Sequence, residues 1–225
     1  GDATSANQFE AERRWLRDKK PYYNVWPSII PMLTRLKLDI DAGLIHPPMD
    51  ALLIRLPADK NPLFWDHDGD RHFVKTILLT SANVQGSAGL TAWMDIGESQ
   101  QLSPELATPI YTFRNIRTEP GRTVESDLDA LADAPSLNVG LRIPRSLELD
   151  CLRLVSTLCL IADDPEIITA DVLNKDRAKY EETLDPKYIV KAIRRGKRGW
   201  NVGAGLESVP HVRRPHPALV WTGKG

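Results

Sequence analysis

Hydrophobic residues along this chain follow one period, then another, then return to the first. Over residues 5–21 they fall at helical spacing, with Phe9, Trp15 and Leu16 as a stripe. Ser5 with Gln8 three residues later forms a capping box, and "DKKP" stops the pattern at Pro21. "WPSIIPMLTRLKLDI" keeps the period through Ile29, Leu33 and Leu36. It predicts a short second helix capped by Ser28, with Pro31 in the first turn, where a missing N–H is tolerated. The pattern then shortens to that of strands. Residues 51–57, 72–80, 89–97 and 111–117 are short, rich in aliphatic and aromatic side chains, and separated by Gly, Pro, Asp and Asn clusters. Connections this short leave no room for crossover helices, so an antiparallel meander is expected, with "DHDG" and "NVQGSAG" as hairpin turns.

After "TEPGR" the helical period returns. "TVESDLDALAD" predicts a short acidic helix. "RSLELDCLRLVSTLCLIADD" predicts the strongest helix of the chain, capped by Ser146, with Leu147, Cys151, Leu154, Val155, Leu158 and Cys159 along one side. Its second half is apolar nearly all round and belongs in a core, against one face of the sheet. "DPKYIVKAIRRG" carries a cap at Asp185, Pro186 in the first turn, bases toward the end and Gly196 just past it, which predicts a last helix. The fold class read from these elements is α+β. It has N-terminal helices, a central antiparallel sheet of about four strands, and a buried helix packed on that sheet. One globular domain covers residues 1–186 and a basic Gly- and Pro-rich arm covers residues 187–225.

Composition changes this picture in two places. A 225-residue chain can bury roughly 70% of its unfolded surface, so neither wholesale disorder nor a stapled mini-protein is expected. No window approaches the ~18 apolar residues of a membrane span, and the polar start lacks the apolar core of a signal peptide. No membrane partner and a cytoplasmic location are therefore expected. The two cysteines, Cys151 and Cys159, would stand about two helical turns apart, too far to bridge, and read as reduced core residues. The chain starts at Gly1 with no initiating Met, which is expected of a piece of a longer product.

Charge is the second place. The formal net charge of −1 hides a segregation: residues 187–225 hold nine bases and one acid, which gives +8, and residues 1–186 hold 20 bases and 29 acids, which gives −9. A basic segment of this strength meets a polyanion or docks on the acidic part of its own fold.

Within the arm, Pro210, Pro215 and Pro217 push "VPHVRRPHP" into an extended path, so that His211 shares a face with Arg213, and Arg214 with His216. At about 3.3 Å per residue the two histidines lie about 16 Å apart, too far for one metal ion. Arg with His suits phosphate or carboxylate, because guanidinium offers a bidentate fork and imidazole adds a donor. Upstream, in "RRGKRGWNVGAG", Arg194, Arg195, Lys197 and Arg198 are placed to neutralise phosphates and Trp200 to stack on a base. The glycines Gly196, Gly199, Gly203 and Gly205 do not fit the dinucleotide fingerprint, and "TGKG" lacks the earlier glycine of a Walker motif, so no cofactor is called for. A Gly-rich loop with one anchoring Trp is the plainer meaning.

"WDHDGDRHF" is the one dense carboxylate cluster. Gly69 and Ile77 stand at the wrong positions for a calcium hand, leaving a Mg²⁺ or Mn²⁺ site at Asp66 and Asp68 with His67 or His72 as the alternative to a plain Asp-Gly hairpin turn. No G-x-S-x-G, H-E-x-x-H or C-x-x-C supports nucleophilic or zinc chemistry.

The closing "RGWNVGAGLESVPHVRRPHPALVWTGKG" resembles the C-terminal part of bacterial proteins, some borne by plasmids and phages, that carry a Pro-His-x-Arg-Arg-x-His core followed by Trp-Thr-Gly. The resemblance covers about the last 30 residues. Those proteins have no settled activity, so it carries over no catalytic residue. It implies a recurring docking or functional element and a native chain that runs on past Lys224. Three readings follow. The first is binding of nucleic acid or another phosphorylated partner through Arg194, Arg195, Lys197, Arg198, Trp200, His211, Arg213, Arg214 and His216. The second is a metal-assisted phosphoester enzyme in which His211, Arg214 and His216 meet Asp66 and Asp68. The third is a structural arm that wraps the acidic body or joins a second copy in a homo-oligomer.

Overall fold

The computed structural model describes residues 3–67, 69–84, 86–98, 109–133, 143–164, 167–170 and 199–203. Helix α1 (Ala3–Arg17) leads into strand β1 (Tyr22–Val25) and helix α2 (Ile30–Arg35). The strands β2 (Ala51–Arg55), β3 (Phe64–His67), β4 (Asp70–Phe73), β5 (Thr76–Val84), β6 (Ser87–Glu98) and β7 (Pro109–Arg117) follow. Helices α3 (Val124–Asp133) and α4 (Arg145–Leu160) precede β8 (Ile168–Ala170) and β9 (Gly199–Val202). The class is α+β, as expected.

The expected meander is present: β2, β5, β6 and β7 pair antiparallel in that order. "DHDG" is a hairpin turn between β3 and β4, and the β5–β6 turn passes through Gly86, which with Gly69 takes a left-handed φ that only glycine adopts without cost. Two corrections apply to the sheet. It has seven strands, not about four, in the order β7-β6-β5-β2-β1-β9-β8, and it is mixed, because β1 runs parallel to both β2 and β9. The 72–80 run is also split, since at Val74 and Lys75 the chain crosses from the two-stranded β3–β4 hairpin into the main sheet, Val74 N–H bonding Leu63 and Lys75 N–H bonding Asp95.

Three predicted caps stand elsewhere. Ser5 lies inside α1, Ile29 rather than Ser28 caps α2, and Pro144 rather than Ser146 caps α4, the last two without a side-chain bond. The α1 stripe also fails. Phe9 and Leu16 are exposed, and the helix packs through Ala11 and the half-buried Trp15. The helix expected over 185–196 lies outside the described residues.

The two faces of the sheet differ. Alternation along the strands sends Leu52, Ile54, Ile77, Leu79, Leu90 and Met94 to one face, all at most 1% exposed, beneath α2, α3 and α4. Cys151, Leu154, Val155 and Leu158 of α4 are buried there as predicted, and burial pushes both cysteine thiols up, Cys159 to about 12, so neither is a ready thiolate. Two ion clusters lock this layer. Arg114 of β7, 5% exposed, donates to Glu148 of α4, 1% exposed, at 2.6 Å, and Arg145 donates to the same carboxylate. Glu125 of α3 accepts from Arg153 of α4 and from the Leu38 N–H. On the opposite face, among the described residues, α1 alone packs, over β2 and β5, through a small cluster of Ala11, Leu78 and Trp93 with Trp15 and Leu53.

Candidate nucleic-acid interface

Of the residues the sequence assigns to phosphate and base contacts, Trp200 is described; Arg194, Arg195, Lys197, Arg198, His211, Arg213, Arg214 and His216 lie outside the described residues. Trp200 belongs to β9, in the sheet. Its strand pairs residue for residue with β1, from Tyr22 opposite Gly199 to Val25 opposite Val202. The ring is half-buried, meets Tyr23 edge-on at 5.7 Å and 77°, and rests against the main core. Burial, followed by the nearby Cys159 and Asp163, pushes the Tyr23 phenol up to about 12, so it stays neutral beside the indole at physiological pH.

The glycines flanking Trp200 have packing roles. A Cβ on Gly199 would stand 2.2 Å from Cζ of Tyr22, whose ring lies against the β9 backbone while the Arg55 guanidinium sits 4.1 Å over the ring centroid. Gly203 has φ of +80° and a Cβ there would meet Ile29 at 2.9 Å. The Trp26 N–H bonds Val202 and the Gly203 N–H bonds Ile167, so this corner is stitched from both sides.

Because β1 and β9 are parallel, their first residues share one end of the sheet. The chain reaches Gly199 from Arg198, and it reaches Tyr22 from Lys19, Lys20 and Pro21. Lys19 and Lys20 are exposed, both in the left-handed region at φ of 66° and 57°. Such a conformation costs about 1–2 kcal/mol for a non-glycine residue, and glycine is the usual choice at a helix end. It is held by the Lys19 N–H to Leu16, the Lys20 N–H to Trp15, and the Trp15 indole N–H to Pro21 at 2.8 Å. Among the described residues neither lysine enters an ion pair; the exposed Arg17 beside them pairs with Asp18 at 3.6 Å. The sequence shows "DKKP" only as a helix stop. Its basic character was legible there, but its position beside β9 depends on a parallel pairing that no local pattern announces.

The carboxylate cluster is arranged otherwise. Asp66 faces Arg71 across the hairpin at 3.1 Å, and His72 stacks on Trp65 at 5.2 Å, 24° from parallel, with His67 6.2 Å away. Asp68 lies outside the described residues, among which no group of three His, Cys, Asp or Glu is placed to hold a metal ion.

No protein-family model matches the sequence, and no curated protein is found similar to it. Among solved structures the crystal structure of AcrVA2 is similar, with a TM-score of 0.50 at 17% identity over 87% of this chain. The match covers 60% of AcrVA2, and at this identity it shows the fold alone. Among the described residues no helix is long and apolar enough to cross a membrane.

Proposed function

We propose that the protein binds nucleic acid or another phosphorylated partner through its basic C-terminal segment. In this reading Arg194, Arg195, Lys197, Arg198, Arg213 and Arg214 neutralise phosphates, His211 and His216 add donors, and the half-buried Trp200 stacks on a base. The observation that supports it is exposed basic charge at the end of the sheet where β1 and β9 start. Arg17, Lys19 and Lys20 stand where β1 begins, beside Gly199, the residue that follows the basic run 194–198 in the sequence. The left-handed backbone that holds the two lysines outward costs stability, and strain of this kind concentrates where a side chain must be presented. The likeness of the tail to segments of plasmid- and phage-borne proteins belongs to the same reading, as an element that recurs because it engages a partner.

A structural reading has its own observation: Gly199–Val202 is a strand of the sheet, so part of the arm serves the fold. Cutting the chain before residue 199 would therefore remove a strand with the charges. The test keeps β9. Anisotropy titrations with short single- and double-stranded DNA and RNA compare the full chain with a variant whose four bases at 194, 195, 197 and 198 become Gln, a second with Arg213 and Arg214 as Ala, and a third with Lys19→Gln and Lys20→Gln. Expected is binding whose logarithm falls linearly with the logarithm of salt, with a slope that drops by about one for each phosphate contact removed. Equal or absent binding in all four proteins leaves the structural reading.

A further inference from the structure

The sheet face beneath α1 carries a feature that neither the arm nor the core accounts for. Rows of directly opposed residues cross β5, β6 and β7 on this face. Leu78 and Trp93 form an apolar row under Ala11 of the helix. The next row, two residues along, is Thr80, Thr91 and Asn115, polar throughout. Beyond it Ala82 stands opposite Gly89, and the small side chains leave room. Above the polar row α1 turns Asn7, Glu10 and Arg14, one helical face by their spacing, toward the sheet. The result is an open groove of about 240 Å³ between helix and sheet, floored in part by Trp93.

Two of its hydrogen-bonding groups, the Thr80 hydroxyl and the Asn115 NH₂, are not spent within the groove. Thr80 is 4% exposed, lines the groove, and its hydroxyl meets no hydrogen-bond partner among the described residues. That hydroxyl opens onto the groove, where water reaches it and a bound molecule could replace the water. Thr91, 8% exposed, donates to Asn115 Oδ1 at 2.7 Å, which turns the Asn115 amide so that its NH₂ remains as a donor. The charges of the groove cancel. Arg14 donates to Glu10 at 3.4 Å and to the Ser81 carbonyl at 3.2 Å, and bonds from Arg13 and Arg14 hold the Glu10 carboxyl below its ordinary range, so the pair persists as an ion pair at neutral pH.

Three properties select the ligand. The cancelled charge gives no hold on a phosphate or carboxylate. The volume admits one ring system of purine size and falls short of the ~300–1,000 Å³ of pockets for larger ligands. The free groups, Thr80 on β5 and Asn115 on β7, stand on either side of β6, two strand spacings or about 9.6 Å apart, a span that suits a flat ring system with polar atoms on opposite sides. Asn and Thr are side chains that read base edges. We propose that this groove binds a nucleobase, with Thr80 and Asn115 hydrogen-bonding opposite sides of it. The base is that of a free nucleoside or of an unpaired nucleotide within a strand.

This inference stands apart from the arm, and salt separates the two. Uncharged nucleosides, added one at a time to the full chain at low and at high salt, are followed by protein-observed NMR. Expected is saturable binding of at least one of them, insensitive to salt, with shifts at Thr80, Thr91 and Asn115. Thr80→Val and Asn115→Ala should each weaken it roughly tenfold, Thr80→Val with the melting temperature of the parent and Asn115→Ala with a small drop from the lost Thr91 bond, and a charge-neutralised 194–198 variant should bind the nucleoside as the parent does. A short single strand with the responsive base, set against the same strand with that base removed, tells a base within a strand from a free nucleoside, and either source is the proposed chemistry. Absence of binding by every nucleoside, equal affinity of the Thr80→Val protein, or binding of monosaccharides in preference to nucleosides would overturn it.

Discussion

The two faces of the central sheet solve the same packing problem with opposite chemistry. Under α2, α3 and α4 the face is apolar, and its charges are buried as bonded clusters around Glu148 and Glu125. Under α1 the same strands present Thr80, Thr91 and Asn115, and the helix touches down through Ala11 and Trp15. Consecutive residues of one strand, Leu79 and Thr80, illustrate the contrast, since the first holds the core together and the second faces the groove. Stability and recognition are thus divided between faces, so one can change with little effect on the other.

The largest expected effect breaks the covered face. Glu148→Ala removes the carboxylate that the buried Arg114 shares with Arg145, and urea unfolding should show a loss of about 3–5 kcal/mol, most of it recovered when Arg114 is replaced by Met as well. Leu79→Ala should lose about 2–5 kcal/mol, whereas Thr80→Val next to it should stay within about 0.5 kcal/mol, because its hydroxyl has no protein partner to lose. Equal losses at 79 and 80 would dissolve the contrast. Gly199→Ala tests the β1–β9 seam. The new methyl group meets the Tyr22 ring, and a loss of about 1–3 kcal/mol is expected, relieved in a Tyr22→Val background. The smallest effect sits at the edge of the covered face, where Asp41 accepts from the N–H groups of Gly121 and Gly43, bonds that hold its carboxyl below the ordinary range. The folded-state value is depressed, so its contribution is present above the unfolded value of about 3.9 and is lost as pH falls through the lower folded one. Melting curves of Asp41→Ala and the parent should differ most at neutral pH and converge in acid.

Legibility follows the distance over which each element is specified. The meander was readable because alternation and turn residues lie within a dozen positions of each other, as at "DHDG". The burial of Cys151, Leu154 and Leu158 was readable from one helical stripe. β1, β8 and β9 were not, being three or four residues each, and "YYNV" and "GWNV" carry no turn that announces a partner. The glycines of "RGWNVGAG" read as loop residues, yet Gly199 serves a side chain from another strand. The Thr80 row escaped notice because its polar character appears only when three strands are aligned.

The parallel seating of β1 also has a history in time. Asn24 and Asn201, whose side chains meet at 3.3 Å, are 177 residues apart in the chain. At translation rates of ≈ 5–20 residues per second, β1 waits about 10–35 s for its second neighbour. Until then its outer edge is an unpaired row of peptide groups open to other nascent chains. The exposed lysines at its head, 19 and 20, place positive charge where such pairing would start. A chain that stalls or ends before residue 199 lacks the strand that covers that edge.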